Sequence, residues 1–211
     1  MSGTAAAPGE IVVLAGTNGA GKSSVAGAVL ERRGGAFYNP DRATRAYLDR
    51  GLSLPEANSR AWRRGVRQLE RAIRDGTSYV FETTLGGRTI TRILLGTAAQ
   101  GRSVRIWYVG LASPELHIER VRARVAAGGH GIPQEKIRER WDSSRQNLIR
   151  LLPYVHELAL FDNSWGVDVS GGEAPRPEKL LHMNDGEIQY VADPKTVPAW
   201  AKSIIQAALS A

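Results

Sequence analysis

Residues 11–24 read I-V-V-L-A-G-T-N-G-A-G-K-S-S, and this stretch decides the fold. From Gly16 to Ser23 it fits the pattern G-x-x-x-x-G-K-[ST] at every fixed position. Gly16, Gly19 and Gly21 let the backbone turn tightly, so that successive N–H groups along the loop (Thr17, Asn18, Ala20 and Ser24 included) face one concavity. Lys22 brings a cation to the outer phosphates of a nucleotide, and the Ser23 hydroxyl is placed to bind a Mg²⁺ that bridges them. The apolar run Ile11–Ala15 has the form of a buried parallel strand. Residues 23–32 read as a helix with Val25, Ala28 and Val29 on one face. An anion held by the loop then sits at a helix N-terminus, where free N–H groups and the macrodipole favour negative charge.

Strand and helix patterns alternate outward from this stretch. Short strands are expected at 36–38, 79–81, 104–111 and 158–161, with helices at 42–50, from Leu54 to about Gly76, around 90–94, from Ser113-Pro114, and at 134–152. In the long helix from Leu54, Trp62, Val66, Leu69 and Ile73 recur at helical spacing and read as its apolar stripe. Ile118, Val121 and Val125 read as the inward side of the helix from Ser113. Two strands flanking Asn184-Asp185-Gly186-Glu187 read as a hairpin, and residues 200–209 as a terminal helix. The alternation predicts an α/β three-layer fold, a mostly parallel sheet flanked by helices as in phosphate-loop NTPases and kinases. Residues 1–9 read as a flexible arm and 10–165 as the main domain, with a lid at about 126–134. Residues 166–211 read as a hairpin and helix packed on that same domain.

The chain of 211 residues carries 42% hydrophobic and 23% charged residues, ordinary for a globular domain. A formal charge of +7 fits either solvated arginine faces or a surface suited to phosphates. The absence of cysteine excludes disulfides and Cys-ligated metals, and four histidines without an H-x-x-x-H pair argue against structural zinc. Residues 1–9 lack the basic start of a signal peptide and no segment reaches membrane-spanning length, so a cytoplasmic protein with no membrane partner is expected. Arginines of the 60–74 helix lie on several faces with a single aromatic, Trp62, between them. This helix reads as solvated or as partly framing an acceptor pocket, not as a nucleic-acid surface.

Ligands of open parallel sheets bind beyond the carboxyl ends of the strands. Those ends carry Asn39 and Asp41, then Glu82, Thr83 and Thr84, then Asp162 and Asn163. Phosphoryl transfer to a hydroxyl requires fixed phosphates, a held metal, and an acceptor oxygen placed in line and relieved of its proton. Asp41 is the first candidate for that base; as a residue beside Pro40 at a helix start it suits an N-cap equally well. Glu82 is the second candidate, as an acceptor-binding group or ligand of a metal-bound water, or simply a satisfied acid at a strand end. Thr83 and Thr84 could bind an acceptor hydroxyl, although β-branched residues also suit strands. The small-residue segment at Gly128-Gly129-His130 joins two arginine-bearing helices and reads as a lid that closes over phosphates, with His130 a loop residue rather than a base. Arg120 and Arg124 share one helix face, and Arg138 and Arg145 another.

Six blocks in order, G-T-N-G-A-G-K-S, F-Y-N-P-D, F-E-T-T-L, R-V-R-A-R-V-A-A-G-G-H-G-I-P, I-R-E-R-W-D-S-S-R-Q-N-L and L-F-D-N-S, resemble the zeta-toxin-like kinases over residues 10–165. That resemblance implies an ATP- and Mg²⁺-dependent kinase whose acceptor is the amino-sugar hydroxyl of UDP-N-acetylglucosamine, restrained in some members by an antitoxin protein. It implies phosphate and metal roles for Lys22 and Ser23, the base role for Asp41, and an acceptor-sugar pocket at Glu82 and Thr84. It gives the closing arginines as Arg124 with Arg138 or Arg140. Three other readings stand beside it: a kinase of another small-molecule or nucleotide acceptor, a nucleotide-binding toxin–antitoxin interaction module with weak turnover, and a nucleic-acid-end kinase.

Overall fold

In the computed structural model, β1 (Ile11–Ala15) lies at the middle of the five parallel strands of a seven-stranded sheet. The structure describes residues 9–22, 25, 37–165 and 176–210. The helix expected at 23–32 therefore lies outside the described residues except at Val25, which is helical, as do residues 1–8 of the expected arm. In chain order the strands are β2 (Phe37–Tyr38), β3 (Tyr79–Thr83), β4 (Val104–Gly110), β5 (Glu157–Asp162), β6 (Glu178–Asn184) and β7 (Glu187–Val191). The sheet order is β2-β3-β1-β4-β5-β6-β7. The first five spatial positions are parallel, and β6 and β7 add an antiparallel hairpin beyond β5. Every residue of β1 is buried, as a strand covered on both faces requires. The hairpin turns at Asp185-Gly186, both with positive φ, as a two-residue turn matched to sheet twist demands.

The helices are α1 (Pro40–Leu48), α2 (Leu54–Arg74), α3 (Arg88–Ala99), α4 (Pro114–Ala126), α5 (Gln134–Leu151) and α6 (Ala199–Leu209). Helix α4 begins as its sequence predicts, with the Ser113 side chain accepting from Leu116 N at 3.2 Å and Pro114 at its first position. Its Ile118 and Val121 are buried, whereas Val125 is exposed near the end of the helix. Among the described residues no helix is long and apolar enough to cross a membrane.

Two expectations need correction. Helix α1 starts two residues earlier than expected, and its cap is Asn39, whose Oδ1 accepts from Arg42 N at 2.9 Å. Asp41 lies inside the first turn, so the N-cap reading of this residue is wrong. In α2 the expected stripe holds at Leu69, which is buried, and at Ile73, which packs on the core, but not at Trp62; Ala57, Ala61 and Ala72 are buried in its stead. Gly65 continues this small-residue seam, where a Cβ would meet the Tyr38 ring at 2.7 Å, and the Tyr38 hydroxyl donates to the Ala61 carbonyl. Close approach of α2 to β2 selects small residues, and Trp62, one step round the helix, is left 51% exposed.

The end of the sheet opposite the phosphate loop is closed by buried Arg102. Its guanidinium donates to the carbonyls of Ala72, Ile73 and Thr77 at 2.7–2.9 Å and to that of Gly9. This ties the approach to β1, the end of α2 and the approach to β3 into one knot.

Candidate active site

Strand register builds the site. Leu14 pairs with Glu82 and Ala15 with Thr83, so the acidic end of β3 stands beside the residues that lead into the phosphate loop. Tyr38 pairs with Phe81, so Asn39 follows alongside Glu82, and its Nδ2 donates to Glu82 Oε2 at 2.7 Å. Lys22 is buried, donates to the Gly16 carbonyl at 2.7 Å, and lies 3.4 Å from Glu82 Oε1. Glu82 thus faces both the loop lysine and the Asn39 amide.

The loop is braced on all sides. Gly16 (φ 139°) passes so close to the Val109 carbonyl that no Cβ could be accommodated, and a Cβ on Gly19 (φ 83°) would stand 2.7 Å from the His117 carbonyl. Both positions need glycine for space as well as for conformation. Asn163 at the end of β5 donates through Nδ2 to the Ala20 carbonyl at 2.9 Å. His117, 1% exposed on α4, meets the Asn18 carbonyl through Nδ1 at 2.8 Å. A carbonyl only accepts, so Nδ1 carries the proton. Nε2 is buried without a partner among the described residues. Burial pushes the ring down to about 4, the Asn18 carbonyl opposing and the Lys22 charge reinforcing the shift.

The loop after β3 is pinned by α5. Ser143, Ser144 and Asn147 donate to the carbonyls of Gly86, Thr84 and Leu85 at 3.0, 2.6 and 2.8 Å. Leu85 has φ 54°, a left-handed conformation supported by its N–H donating to Thr83 Oγ1 at 3.1 Å. The block W-D-S-S-R-Q-N-L therefore shapes the wall that presents Thr83 and Thr84. Asn147, three and four residues after Ser144 and Ser143, puts three polar groups on one side of the helix, which is the signal for it in the sequence.

Asp41 lies across from the loop with its carboxylate 42% exposed. Arg124 Nη1 donates to Oδ2 at 3.0 Å, and His130 Nε2 stands 3.4 Å from Oδ1. Arg124 also reaches the His130 carbonyl at 3.3 Å, and Arg45 reaches the Gly128 carbonyl at 3.4 Å. The segment between α4 and α5 is thereby clasped to α1. His130 is a loop residue as the sequence suggests, but its place beside the Asp41 carboxylate was not legible, since a histidine among glycines carries no periodic signal.

The arginines divide. Arg140 donates to Asn18 Oδ1 at 2.9 Å, and burial lowers its guanidinium from the ordinary value. Arg140 lines the cleft and Arg124 holds Asp41 in it, but Arg138 points to Glu115 at 3.2 Å on an exposed surface. Arg120 donates to the carbonyls of Asn163 and Trp165, supporting the loop's brace rather than facing the cleft. Asp162 is also occupied elsewhere: it accepts from Ser164 and, at 3.1 Å, from Trp200 Nε1. Ser23 and Ser24 lie outside the described residues.

These groups border one cleft of about 570 Å³, lined by Asn18, Lys22, Asp41, Glu82, Thr83 and Thr84 together with His130 and Arg140. Helix α2 adds Leu54, Pro55 and Trp62 to its rim. A glycine-rich loop after a central parallel strand, bearing a buried lysine opposite exposed carboxylate chemistry, defines a phosphate-loop kinase-like domain. Residues 11–151 match the model of the AAA domain family AAA_33, and the chain belongs to that family.

A Haemophilus influenzae protein named only as uncharacterized is 26% identical over 140 residues, which is 63% of this chain and 92% of that protein. Among solved structures, the AvrRxo1-ORF1:AvrRxo1-ORF2 complex crystallised with sulphate ions is similar at TM-score 0.64 and 17% identity. That match covers 95% of this chain but only 63% of the other. The PezAT chromosomal toxin–antitoxin system of Streptococcus pneumoniae gives TM-score 0.53 at 13% identity, covering 100% of this chain and 88% of that one. At these identities the likeness concerns the fold.

Proposed function

We propose that the protein is a Mg-ATP-dependent kinase acting on a hydroxyl of a small molecule. The acceptor implied by the resemblance to zeta-toxin-like kinases is the amino sugar of UDP-N-acetylglucosamine. The observation that carries the reading is the exposed Asp41 carboxylate, held by Arg124 in the cleft that also contains Lys22. The acceptor oxygen forms its bond to the γ-phosphorus as the bond from that phosphorus to the β–γ bridging oxygen breaks. The hydroxyl proton passes to Asp41, and ADP leaves. Lys22 and Arg140 supply positive charge where negative charge develops. Glu82, Asn39, Thr83 and Thr84 position the acceptor. Mg²⁺, when bound with the nucleotide, neutralises phosphate charge. Glu82, a hard oxygen donor beside Lys22, fits that ion directly or through water.

A second reading is supported by the similar structures being two-component assemblies: a nucleotide-binding module held by a partner protein such as an antitoxin, with weak turnover. Incubation with Mg-ATP and a panel of UDP-sugars, nucleotides and oligonucleotides separates the readings. A UDP-N-acetylglucosamine product heavier by one phosphate is the expected outcome. Transfer confined to another acceptor replaces the acceptor and keeps the kinase. Tight nucleotide binding with no transfer at all overturns the kinase reading in favour of the module.

A further inference from the structure

Trp62 is the large aromatic of α2 that the fold leaves uncovered. Tryptophan is highly buried on average, and this one is half exposed where the small-residue seam of its helix is buried. It lines the cleft that holds Lys22 and Asp41, in company with Leu54, Pro55, Ile90 and Ile132. The strand ends and the phosphate loop bring Lys22, Glu82, Thr83 and Thr84 to the cleft, and Leu54, Pro55, Trp62, Ile90 and Ile132 add apolar surface to it. Among the described residues no protein guanidinium lies over the Trp62 ring, in contrast to Trp141, whose ring is covered by Arg145 at 3.6 Å. Nor does its indole N–H have a protein acceptor among them. A cleft of about 570 Å³ falls within the range of sites for drug-sized ligands and exceeds what a bare hexose fills.

We infer that Trp62 is the specificity-determining platform on which a planar ring of the acceptor stacks, so that the cleft selects hydroxyl compounds carrying a nucleobase or aryl ring over ring-free sugars and sugar phosphates. This rests on the kinase reading for the hydroxyl and goes beyond it for the rest of the acceptor. Stacking on an aromatic face tolerates any ring with a π-surface, so it sets the class of acceptor and leaves finer selection to the polar wall.

The test compares wild type with Trp62→Phe and Trp62→Ala on three acceptors: UDP-N-acetylglucosamine, an aryl N-acetylglucosaminide and N-acetylglucosamine 1-phosphate. Trp62→Ala should raise KM for at least one ring-bearing acceptor about tenfold or more, with kcat changed less, and Trp62→Phe should restore most of the loss. The ring-free phosphate should show no comparable change. Which ring responds, uracil or aryl, identifies the source. An equal change for all three acceptors, or none for any, overturns the inference. Calorimetric binding of the same compounds without ATP keeps the two readings apart. If nothing is phosphorylated but a ring-bearing compound still binds wild type about tenfold better than Trp62→Ala, the kinase reading fails and the platform stands. If no ring-bearing compound binds, the platform fails.

Discussion

The phosphate loop and the wall facing it are held by different means. The loop is fixed through its backbone: Asn163 and His117 bind carbonyls at Ala20 and Asn18, and two glycines fit where no Cβ has room. The facing wall, α1 and the 127–133 segment, is joined by partly exposed side-chain pairs, Arg124 with Asp41 and Arg45 with the Gly128 carbonyl. Such exposed pairs are worth little individually and exchange readily. One side holds its backbone in a fixed array, and the other is joined by contacts that can exchange.

The sharpest way to break this comparison is Asp41→Asn. It keeps the size of the side chain and removes the proposed base, so transfer should fall about a thousandfold while nucleotide binding to the loop side persists. Near-wild-type turnover in single-turnover assays would remove Asp41 from the mechanism.

On the loop side the expected effect is one of stability. His117 has its folded value depressed to about 4 from an unfolded 6.5, so it takes up a proton more readily unfolded than folded. Its contribution is therefore complete above about pH 6.5 and is lost as the pH falls toward 4. The loss is on the order of 3 kcal/mol if burial is preserved throughout. Denaturant midpoints measured across this window should drop for the wild type. They should change less for His117→Asn, which keeps a donor toward the Asn18 carbonyl without a titrating ring. A parallel decline in both would place the sensitivity elsewhere.

The smallest effect belongs to the clasp. Arg124→Ala should slow transfer about tenfold, roughly 1.4 kcal/mol, and leave the melting temperature nearly unchanged because the pair is partly exposed. A large loss of stability would mean that the facing wall is as firmly built as the loop.

The same contrast explains what was legible beforehand. A loop held by its backbone must advertise itself through glycines at fixed spacing, and Gly16, Gly19, Gly21 and Lys22 did so. Strand ends were legible too, because apolar runs stop where Asn39, Glu82 and Asp162 begin. Side-chain partnerships were not. Nothing in the spacing of Arg120, Arg124, Arg138 and Arg140 reveals that the first braces a strand end, the second holds Asp41, the third faces Glu115, and the fourth reaches Asn18. Trp62 misled for a related reason. Periodicity favours large apolar residues for a stripe, but where α2 meets Tyr38, at Ala61 and Gly65, only small ones fit.

The central place of β1 has a consequence for synthesis. Among the described strands β1 is synthesised before the others, yet its neighbours are β3 and β4, and the arginine that anchors its approach is Arg102. A nascent chain that has emerged only as far as Arg74 contains the glycine-rich loop but neither strand that flanks it. Contacts of such long sequence separation form slowly, and the unpaired apolar run Ile11–Ala15 must wait for them. The segment that announces the protein in its sequence is therefore among the last to acquire its native surroundings.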